Sequence, residues 1–539
     1  VLQGKTRSLL LATATPMQLD PVEVADLIRL TRRVGPFQLD PTLTNSYYDL
    51  LGKLVRSEPL EPLELEFLRR AVRATEAQDP LLWDHVRTAV IDSFSRYDVE
   101  YWLDAGGSAM GGEDGVRRLV FAVSPLSRVM LRHTRPLLEL YRARGKLKAN
   151  LAKRVVLPLQ PIHFTAQEEQ AYNQLEDYCT GLAKQLGKGE KGKRNAFALG
   201  MILSFLRLRF ASSLFAIRES LRKRVEKVEA TLKHLVQEDE VELDELALSD
   251  LLEEGEGDAA AMALLLKDRT PEDLMWERDK LRAMLLNLGD LTGTASKMQR
   301  LLEYLDKRRL TGGRIKQTVV FTRFYDTLTD IVRRLRQADP HILVGTYSGQ
   351  GGSYYNPRTG RMTGVDREEI KHRFLRGELD VLVCTDAAAE GLNLPWNPMK
   401  VEQRIGRIDR IGQRHQTIYV SNLCYLNSAE EIVYGRLLDR LSRAGGVVGT
   451  QQISLLPVTR EEFQELAEGK LKESELERRA LERAALARRR QASMEIPPEE
   501  LYGIYQRLAE HAPDERPPVD LDAIWQALSG STYLRDLGC

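Results

Sequence analysis

Cysteine is scarce in this sequence, with four in 539 residues, at positions 179, 384, 424 and 539. No Cys-x-x-Cys pair occurs, and the eight histidines form no His-x-x-x-His pattern. Because structural zinc sites use closely spaced cysteine and histidine ligands, the usual zinc patterns are absent. We therefore expect no structural metal.

Long apolar runs and an excess of one charge are also missing. No run reaches the roughly 18 apolar residues that a membrane helix needs, and the amino terminus carries no basic, apolar signal sequence. The expected compartment is the cytoplasm, with no membrane contact. Lys plus Arg number 78 and Asp plus Glu number 78, so nucleic-acid binding would require a local basic groove.

The residues that are present indicate a folded, multi-domain protein. Apolar residues make up 43% and charged residues 29%, which is near the average for globular proteins. The length exceeds what one hydrophobic core usually organises, so two or three units are expected. Near the start, Leu9–Leu11 leads into Ala12–Pro16 and then into apolar residues at helical spacing, which indicates a strand followed by a helix.

Residues 31 to about 300 are expected to be mainly helical. Apolar residues recur at helical spacing in four stretches, namely Leu60–Val72, Glu168–Leu186, Ala198–Leu235 and Leu274–Leu288. Thr165-x-x-Glu168 fits a capping box at the start of one stretch. The Lys-rich Gly187–Arg194 and the acidic Glu238–Asp258 are expected to be solvated, with a nucleic-acid or partner contact as the alternative.

The pattern changes at Thr318, where short β-branched runs begin to alternate with helical segments. The predicted strands are Thr318–Phe321, Ile342–Thr346, Val381–Cys384 and Ile418–Leu423. Helix starts are indicated at Asp366-x-x-Glu369 and Ser428-x-x-Glu431. This alternation predicts an α/β fold with a doubly wound parallel sheet. A charged helical tail follows Gly446, with an Arg-rich helix at Lys472–Arg490.

The segment from Glu402 to Gln413 reads Glu-Gln-Arg-Ile-Gly-Arg-Ile-Asp-Arg-Ile-Gly-Gln. Arg407 and Arg410 are three residues apart and would share one face of a helix. A guanidinium is permanently charged and suits a phosphate group, so the two side chains could hold one anion together. Ordinary surface ion pairs are the alternative.

Polar residues stand where the predicted strands should end. Thr322 follows the first strand, Ser348-Gly349 follow the second, and Thr385 follows the third. Ligands of open α/β sheets bind beyond the carboxyl ends of the strands, so these residues are candidates for a common site. Strand-end hydroxyls bonded to nearby backbone are the alternative.

These segments resemble the Swi/Snf family of superfamily-two helicase-like ATPases. Four segments match in order: Thr-Ala-Thr-Pro at 13–16 resembles motif III, Val-Phe-Thr-Arg-Phe at 320–324 motif IV, Thr-Asp-Ala-Ala-Ala-Glu-Gly-Leu-Asn-Leu at 385–394 motif V, and 403–413 motif VI. Pro395–Pro398 and Phe205–Ser213 resemble the prokaryotic branch that includes the RNA-polymerase-recycling ATPase and helicases of phage defence.

The resemblance implies a RecA-like second lobe that closes onto ATP and Mg²⁺ bound on the first lobe. Arg407 and Arg410 would be catalytic arginine fingers. Gln403, Gly391 and Asn393 would line the nucleotide. The residues expected to bind the backbone of double-stranded DNA are Thr322, Ser348, Gly349 and Thr385, and those expected to couple hydrolysis to lobe movement are Thr13 and Thr15.

The sequence departs from the family pattern in two places. The phosphate loop and the Asp-Glu-x-His box should precede motif III, and Gly4-Lys5-Thr6 lacks the preceding glycine of such a loop, so this chain is not expected to hydrolyse ATP alone. Relatives also carry an apolar strand between motif V and the Pro-Trp-Asn-Pro segment, whereas here Leu394 directly precedes Pro395. We therefore expect that residues are missing at this junction.

The predicted domains are the end of lobe 1 at 1–30, helical protrusions and a linker at 31–295, lobe 2 at 296–445 and a helical region at 446–539. The function expected from the resemblance is an ATP-driven translocase on double-stranded DNA. The alternatives are an RNA-polymerase-recycling ATPase and a non-catalytic DNA-binding scaffold of a defence complex. Protein partners from a defence or transcription complex are expected with either.

Overall fold

A computed structural model describes the middle of the chain most completely. The described residues are 41–56, 58–78, 83, 101–104, 119–124, 133–157, 160–186, 200, 203–237, 269–290, 295–385, 401, 404–409, 411–434, 437, 458–467, 470–494, 498–499, 502–503, 506, 525–526 and 529–530. The chain divides into two compact units. One comprises residues 1–149, 445–451 and 488–539, and the other comprises residues 150–444 and 452–487.

The first unit is helical where it is described. Its helices are α1 (Pro41–Arg56), α2 (Pro62–Gln78) and α3 (Arg135–Ala143). In α2, Leu65, Leu68 and Val72 are buried at helical spacing, as the predicted stretch Leu60–Val72 requires. Each of these helices therefore packs through one apolar face.

The second unit contains helices and short strands in alternation. Its elements are β1 (Lys153–Val156), β2 (Gln160–Ile162), α4 (Ala166–Leu186), α5 (Leu214–Gln237), α6 (Pro271–Asp290), α7 (Ser296–Asp306), β3 (Thr318–Phe321), α8 (Tyr325–Ala338), β4 (Val344–Ser348), β5 (Gly351–Asn356), β6 (Arg361–Val365), α9 (Arg367–Leu375), β7 (Val381–Cys384), β8 (Thr417–Val420), β9 (Leu423–Tyr425), α10 (Arg460–Ala467) and α11 (Glu473–Met494).

A five-stranded sheet with the order β3-β7-β4-β5-β6 forms the centre of this unit. β3, β7 and β4 are parallel, as predicted, and β3 and β7 have the predicted bounds. β5 and β6 are antiparallel, so the sheet is mixed, and neither strand was part of the prediction of a parallel sheet. Their Gly-rich and polar sequence carries little of the β-branched signal on which that prediction depended.

Helices cover both faces of this sheet. Val381 and Val383 of β7 pack on the side of α7 and α8, whereas Leu382 and Cys384 pack on the side of α9. Successive residues of a strand point to opposite faces, so a strand buried on both faces needs an uninterrupted apolar sequence. β7 meets that requirement, and all four of its residues are buried.

Two further parallel pairs join distant parts of the chain. β1 pairs with β8, and β2 pairs with β9. The predicted strand Ile418–Leu423 is thus divided at Ser421-Asn422, and its partners come from a range expected to be helical.

The helices α4, α5 and α6 form a bundle that lies beside the sheet. Its three helices correspond to predicted amphipathic stretches, although Ser213 interrupts the stretch Ala198–Leu235. The predicted capping box is confirmed, since the Thr165 amide donates to Glu168 Oε2 at 2.9 Å and the Glu168 amide donates to Thr165 Oγ1 at 3.2 Å. Both helix-end amides are therefore satisfied.

The predicted Arg-rich helix is confirmed as α11. Its residues Leu476, Ala480 and Ala484 are buried together with α10 and the end of β9. Its opposite face carries ion pairs such as Arg478–Glu482 at 2.7 Å. Within the described parts of the chain, no helix is long and apolar enough to cross a membrane.

Candidate functional site

Three hydroxyl residues lie side by side where β3, β7 and β4 end. The strand register aligns Phe321 with Cys384 and Cys384 with Tyr347, so Thr322, Thr385 and Ser348 occupy the next position on three adjacent strands. Neighbouring strands are about 4.8 Å apart, so this hydroxyl row extends over roughly 10 Å. The structure therefore brings these predicted site residues together.

The backbone fixes each member of the hydroxyl row. The Thr322 amide donates to the Cys384 carbonyl at 2.9 Å, and the Thr385 amide donates to the Tyr347 carbonyl at 3.0 Å. The residues Thr322, Thr385 and Ser348 are 8%, 0% and 3% exposed. Thr385 Oγ1 has no hydrogen-bond partner in the described structure, which is unusual for a buried hydroxyl. The hydroxyl row is therefore buried at this edge of the sheet, and Thr385 Oγ1 is a polar atom in it without a hydrogen-bond partner.

Gly349 is the exposed end of this edge. Its carbonyl accepts a hydrogen bond of 2.6 Å from Arg367 Nη2, and both residues are exposed. The turn before β5 is fixed by the Ser348 hydroxyl, which accepts from the Gln350 amide at 3.2 Å. A fixed turn beside an exposed guanidinium is suited to an anionic backbone.

Arg407 lies near the carboxyl end of β7. Burial raises the pKa of the Cys384 thiol to about 12, and the positive charge of Arg407 opposes that rise, so the guanidinium acts on β7 through space. Arg407 Nε is buried and has no hydrogen-bond partner among the described residues. A cation with an unused donor beside the hydroxyl row has the chemistry of an anion site.

A buried ion pair holds the segment that carries Arg407. Arg154 Nη2 of β1 lies 3.0 Å from Asp409 Oδ2, and the two side chains are 8% and 6% exposed. Nearby, the Gly412 amide donates to the Asn150 carbonyl at 2.8 Å, and Asn150 Nδ2 donates to the Gln413 carbonyl at 2.6 Å. The loop after Arg407 is therefore fastened to residues 150–154.

Several predicted site residues lie outside the described residues. They are Thr13, Thr15, Gly391, Asn393, Gln403 and Arg410. The junction between Leu394 and Pro395 also lies there. Their assignments stay predictions.

A polar contact between the helical bundle and α8 was not predicted. The Ser213 hydroxyl donates to Asp330 Oδ2 at 2.9 Å, Ser212 and Thr327 hydroxyls lie 2.9 Å apart, and Arg209 forms an ion pair with Asp326. The sequence did carry a signal, since Phe205–Ser213 was one of the segments that resembled the family. This contact connects the bundle to the helix that begins just after Thr322.

The described residues fit phosphate better than they fit a metal ion. In the described parts of the chain, no group of three or more His, Cys, Asp or Glu residues could hold a metal. Arg407 and the hydroxyl row instead offer positive charge and hydrogen-bond donors.

A family comparison agrees with the position of this site. Residues 296–412 match the description "Helicase conserved C-terminal domain". This range contains α7, the five-stranded sheet, the hydroxyl row and Arg407. The matched range ends at residue 412, within the loop that is hydrogen-bonded to residues 150–154.

Curated relatives match over short segments. An uncharacterised ATP-dependent helicase, YqhH, of Bacillus subtilis is 34% identical over 135 residues, which are 23% of this chain and 24% of that protein. The RNA polymerase-associated protein RapA of Serratia proteamaculans is 40% identical over 85 residues, which are 13% of this chain and 9% of that protein. The matches thus cover less than a quarter of each relative's length.

Solved structures give weaker likenesses. The helicase domain of Hef from Pyrococcus furiosus aligns with 61% of this chain and 65% of its own at 17% identity, with a TM-score of 0.31. The C-terminal part of the Fun30 ATPase domain aligns with 59% of this chain and 95% of its own at 15% identity, with a TM-score of 0.29.

The fold and the family match lead to one conclusion about the chain. Helices cover both faces of a sheet whose parallel strands end in polar residues, and the matched range carries these elements. The chain is similar over short segments to an ATP-dependent helicase and to RapA, and its residues 296–412 match the helicase conserved C-terminal domain.

Proposed function

We propose that the full-length protein is an ATP-driven translocase on double-stranded DNA, and that this chain supplies its arginine-finger lobe. The observation that carries the proposal is the position of Arg407 beside the ends of the parallel strands. There, a permanently charged guanidinium with a free Nε borders the same cleft as Thr322 of the hydroxyl row. Such a group can stabilise the charge that develops on a transferred phosphoryl group.

Each residue has a distinct task in this proposal. Arg407 and Arg410 contact the phosphates of ATP, and Gln403, Gly391 and Asn393 line the nucleotide. Bound Mg²⁺ would neutralise phosphate charge, and it is expected to be held mainly by the other lobe. Thr13 and Thr15 couple hydrolysis to the movement of the lobes.

The DNA backbone would lie along the exposed end of the hydroxyl row. Gly349 and Arg367 are exposed, so they contact phosphate first. Thr322, Thr385 and Ser348 are buried, so their contact with DNA requires that this edge opens. The proposal therefore includes a rise in the exposure of these three residues when DNA binds.

The experiment is ATP hydrolysis by the full-length protein with double-stranded DNA, single-stranded DNA, RNA or no nucleic acid. The proposal predicts the strongest stimulation by double-stranded DNA. Translocation is measured separately by displacement of a DNA triplex strand, which needs movement along a duplex but no strand separation. The absence of ATP hydrolysis with every one of these nucleic acids would contradict the proposal and favour a non-catalytic scaffold.

A second function is favoured by the similarity to RapA. The relative from Serratia proteamaculans is named for its association with RNA polymerase, and the 40% identity extends over 85 residues. Under this alternative, the full-length protein forms a complex with purified RNA polymerase, and ATP hydrolysis rises when polymerase is added. The absence of a complex in size-exclusion chromatography would remove this alternative.

A role in phage defence is tested by loss of protection from phage when the gene is deleted.

A further inference from the structure

The turn between β3 and α8 consists of Thr322, Arg323 and Phe324. The Thr322 amide donates to the Cys384 carbonyl at 2.9 Å, so the sheet fixes the start of the turn. The end of the turn lacks the usual polar cap, since Phe324 occupies the N-cap position of α8 and its side chain makes no cap hydrogen bond. The contacts that hold this end come from another part of the chain.

Arg209, in the helical residues 203–212, supplies these contacts. Its guanidinium lies over the ring of Phe324, with Arg209 Cζ 4.9 Å from the ring centroid, and it forms an ion pair with Asp326 in the first turn of α8. Arg209 Nε also donates to the Ala216 carbonyl of α5 at 3.4 Å. One side chain thus connects residues 203–212 with α5, with the turn and with α8.

Two aromatic rings enclose the charge of Arg209. The guanidinium also lies over Phe205, with Cζ 5.4 Å from that centroid, and the rings of Phe205 and Phe324 meet edge to face at 5.6 Å. Arg209 is 2% exposed, and the Asp326 side chain is 15% exposed. A guanidinium is planar and weakly hydrated, so it can stack on a ring and bind a carboxylate at the same time. Arg209 is therefore a buried, fully engaged cation that fixes both Phe324 and Asp326.

Further polar contacts continue along α8. The Ser212 and Thr327 hydroxyls lie 2.9 Å apart, and the Ser213 hydroxyl donates to Asp330 Oδ2 at 2.9 Å. The Ser213 hydroxyl also accepts from the Phe215 amide at 3.2 Å, at the start of α5. These successive contacts oppose a sliding of α8 along the bundle, so the bundle sets the position of the turn.

The turn is the place where the proposed function brings DNA to β3. Thr322 is buried, whereas Arg323 is half-exposed, and the Arg323 guanidinium lies over the Phe324 ring with Cζ 5.2 Å from the centroid. A phosphate can approach a half-exposed guanidinium before the buried hydroxyl is uncovered. Because Arg209 and Arg323 share one ring, a displacement of Phe324 would move Arg323 as well.

We propose that Arg209 is the positioning residue of this turn, and that it sets where Thr322 and Arg323 meet the phosphates of double-stranded DNA. The inference rests on the proposed function, which assigns the end of β3 to DNA. Arg209 is buried, so it acts through Phe324 and Asp326 and does not touch DNA itself. The bundle then determines how the DNA-binding turn is held.

The test measures binding of a duplex oligonucleotide to the full-length protein at several salt concentrations, without ATP. Arg209→Met removes the charge and keeps an apolar side chain between the rings. Phe324→Leu removes the ring and leaves the partner of Arg209, Asp326, in place, so it serves if Arg209→Met does not fold. The control is Arg207→Met, because Arg207 donates two hydrogen bonds of 2.7 Å to Glu176 of α4, within the bundle.

Either variant is expected to raise the Kd for the duplex about tenfold, as for the loss of one hydrogen bond to a charged group. The slope of log K against log salt concentration should become shallower by about 0.9, because one phosphate contact is lost. The kcat for ATP hydrolysis at saturating duplex should stay within about twofold, since binding is weakened equally before and during hydrolysis. Hydrogen exchange at the Thr322 amide, measured without DNA, should become faster. Arg207→Met should match the unchanged protein in all four measurements.

An unchanged Kd, an unchanged salt slope or unchanged exchange at the Thr322 amide in the variants that fold would overturn this proposal and leave the proposed function intact. Equal losses in Arg207→Met would also overturn it, because the effect would then come from the bundle as a whole. The absence of duplex binding by the unchanged protein would instead overturn the proposed function, and the role of Arg209 with it.

Discussion

Arg154 and Asp409 form an ion pair of 3.0 Å that joins β1 to the segment of Arg407, and both side chains are less than one-tenth exposed. The two residues are 255 positions apart in the sequence. A buried charge that loses its partner keeps its desolvation cost, so each residue depends strongly on the other. The segment with Arg407 is therefore held by an interaction that is costly to break.

Replacement of Arg154 tests this dependence. Arg154→Met should destabilise the unit by about 3 kcal/mol, because Asp409 remains buried without this partner. The double variant Arg154→Met, Asp409→Leu should recover much of that loss, because both charges of the pair are removed together. Urea unfolding of the three proteins checks this, and a double variant as unstable as Arg154→Met would contradict it.

The carboxylate of Glu277 makes the stability of the helical bundle dependent on pH. Burial alone would raise the pKa of Glu277, but Arg224 and Arg269 outweigh burial and hold it below the ordinary value of 4.5. Tyr178 Oη and Arg224 Nε donate to Glu277 Oε1 at 2.8 and 2.7 Å. Because the folded-state pKa is lowered, ionised Glu277 contributes stability above pH 4.5 that is lost as the pH falls through the folded-state pKa.

Glu277→Gln should therefore lower the stability near pH 7 by about 3 kcal/mol, because two buried guanidinium groups lose their counter-charge. The difference from the unchanged protein should shrink as the pH falls below 4.5. Glu272→Gln, on an exposed position of the same helix, is the control and should change little. Thermal unfolding between about pH 3 and pH 7 gives the result, and a difference that does not depend on pH would contradict the assignment.

The contact between the bundle and α8 should be energetically coupled. Ser213 and Asp330 share a hydrogen bond of 2.9 Å, and Asp330 is 9% exposed. A double-mutant cycle with Ser213→Ala and Asp330→Asn should give a coupling energy of about 1 kcal/mol. Asp306→Asn is the control, since the Asp306 side chain is 75% exposed. Additive effects of the two substitutions would show that the contact does not join the bundle to the sheet.

Gly352 of β5 allows α9 to approach the sheet closely. A Cβ at this position would lie 2.7 Å from Ile370 Cγ2 and 2.9 Å from Ile370 Cβ, whereas a Cβ at Gly364 of β6 would meet nothing within 4 Å. Gly352→Ala should therefore cost about 1–3 kcal/mol, and Gly364→Ala should be close to neutral. Chemical unfolding of both variants checks this difference. Equal stability would mean that α9 is not packed against Gly352.

The strands whose bounds the sequence predicted correctly are β3 and β7. Both are short runs rich in β-branched residues, and their bounds agree with the prediction because such residues favour strands, although β7 is fully buried and β3 is half-buried. β5 and β6 escaped prediction because their sequence is rich in Gly and polar residues, and because their pairing depends on tertiary contacts such as Gly352 with Ile370. The predicted strand Ile342–Thr346 is observed two residues later, at Val344–Ser348.

The hydroxyl row could be predicted as a set because parallel strands end at a common edge. Thr322, Ser348 and Thr385 were each placed at a strand end, and the strand register then put them side by side. The support of Arg407 by Arg154 could not be predicted, since no local pattern links residues 255 positions apart. The burial of the row also required the packed structure, because sequence does not show what covers a strand end.

The measurement that tests the central claim most directly is the kcat for ATP hydrolysis of the full-length protein with Arg407→Ala, at saturating double-stranded DNA. Arg358→Ala is the matched control, since Arg358 is exposed on the turn between β5 and β6. If Arg407 is an arginine finger, its removal lowers kcat about a thousandfold or more, while Arg358→Ala leaves kcat unchanged. An Arg407→Ala protein that folds normally and retains full kcat would contradict the proposal.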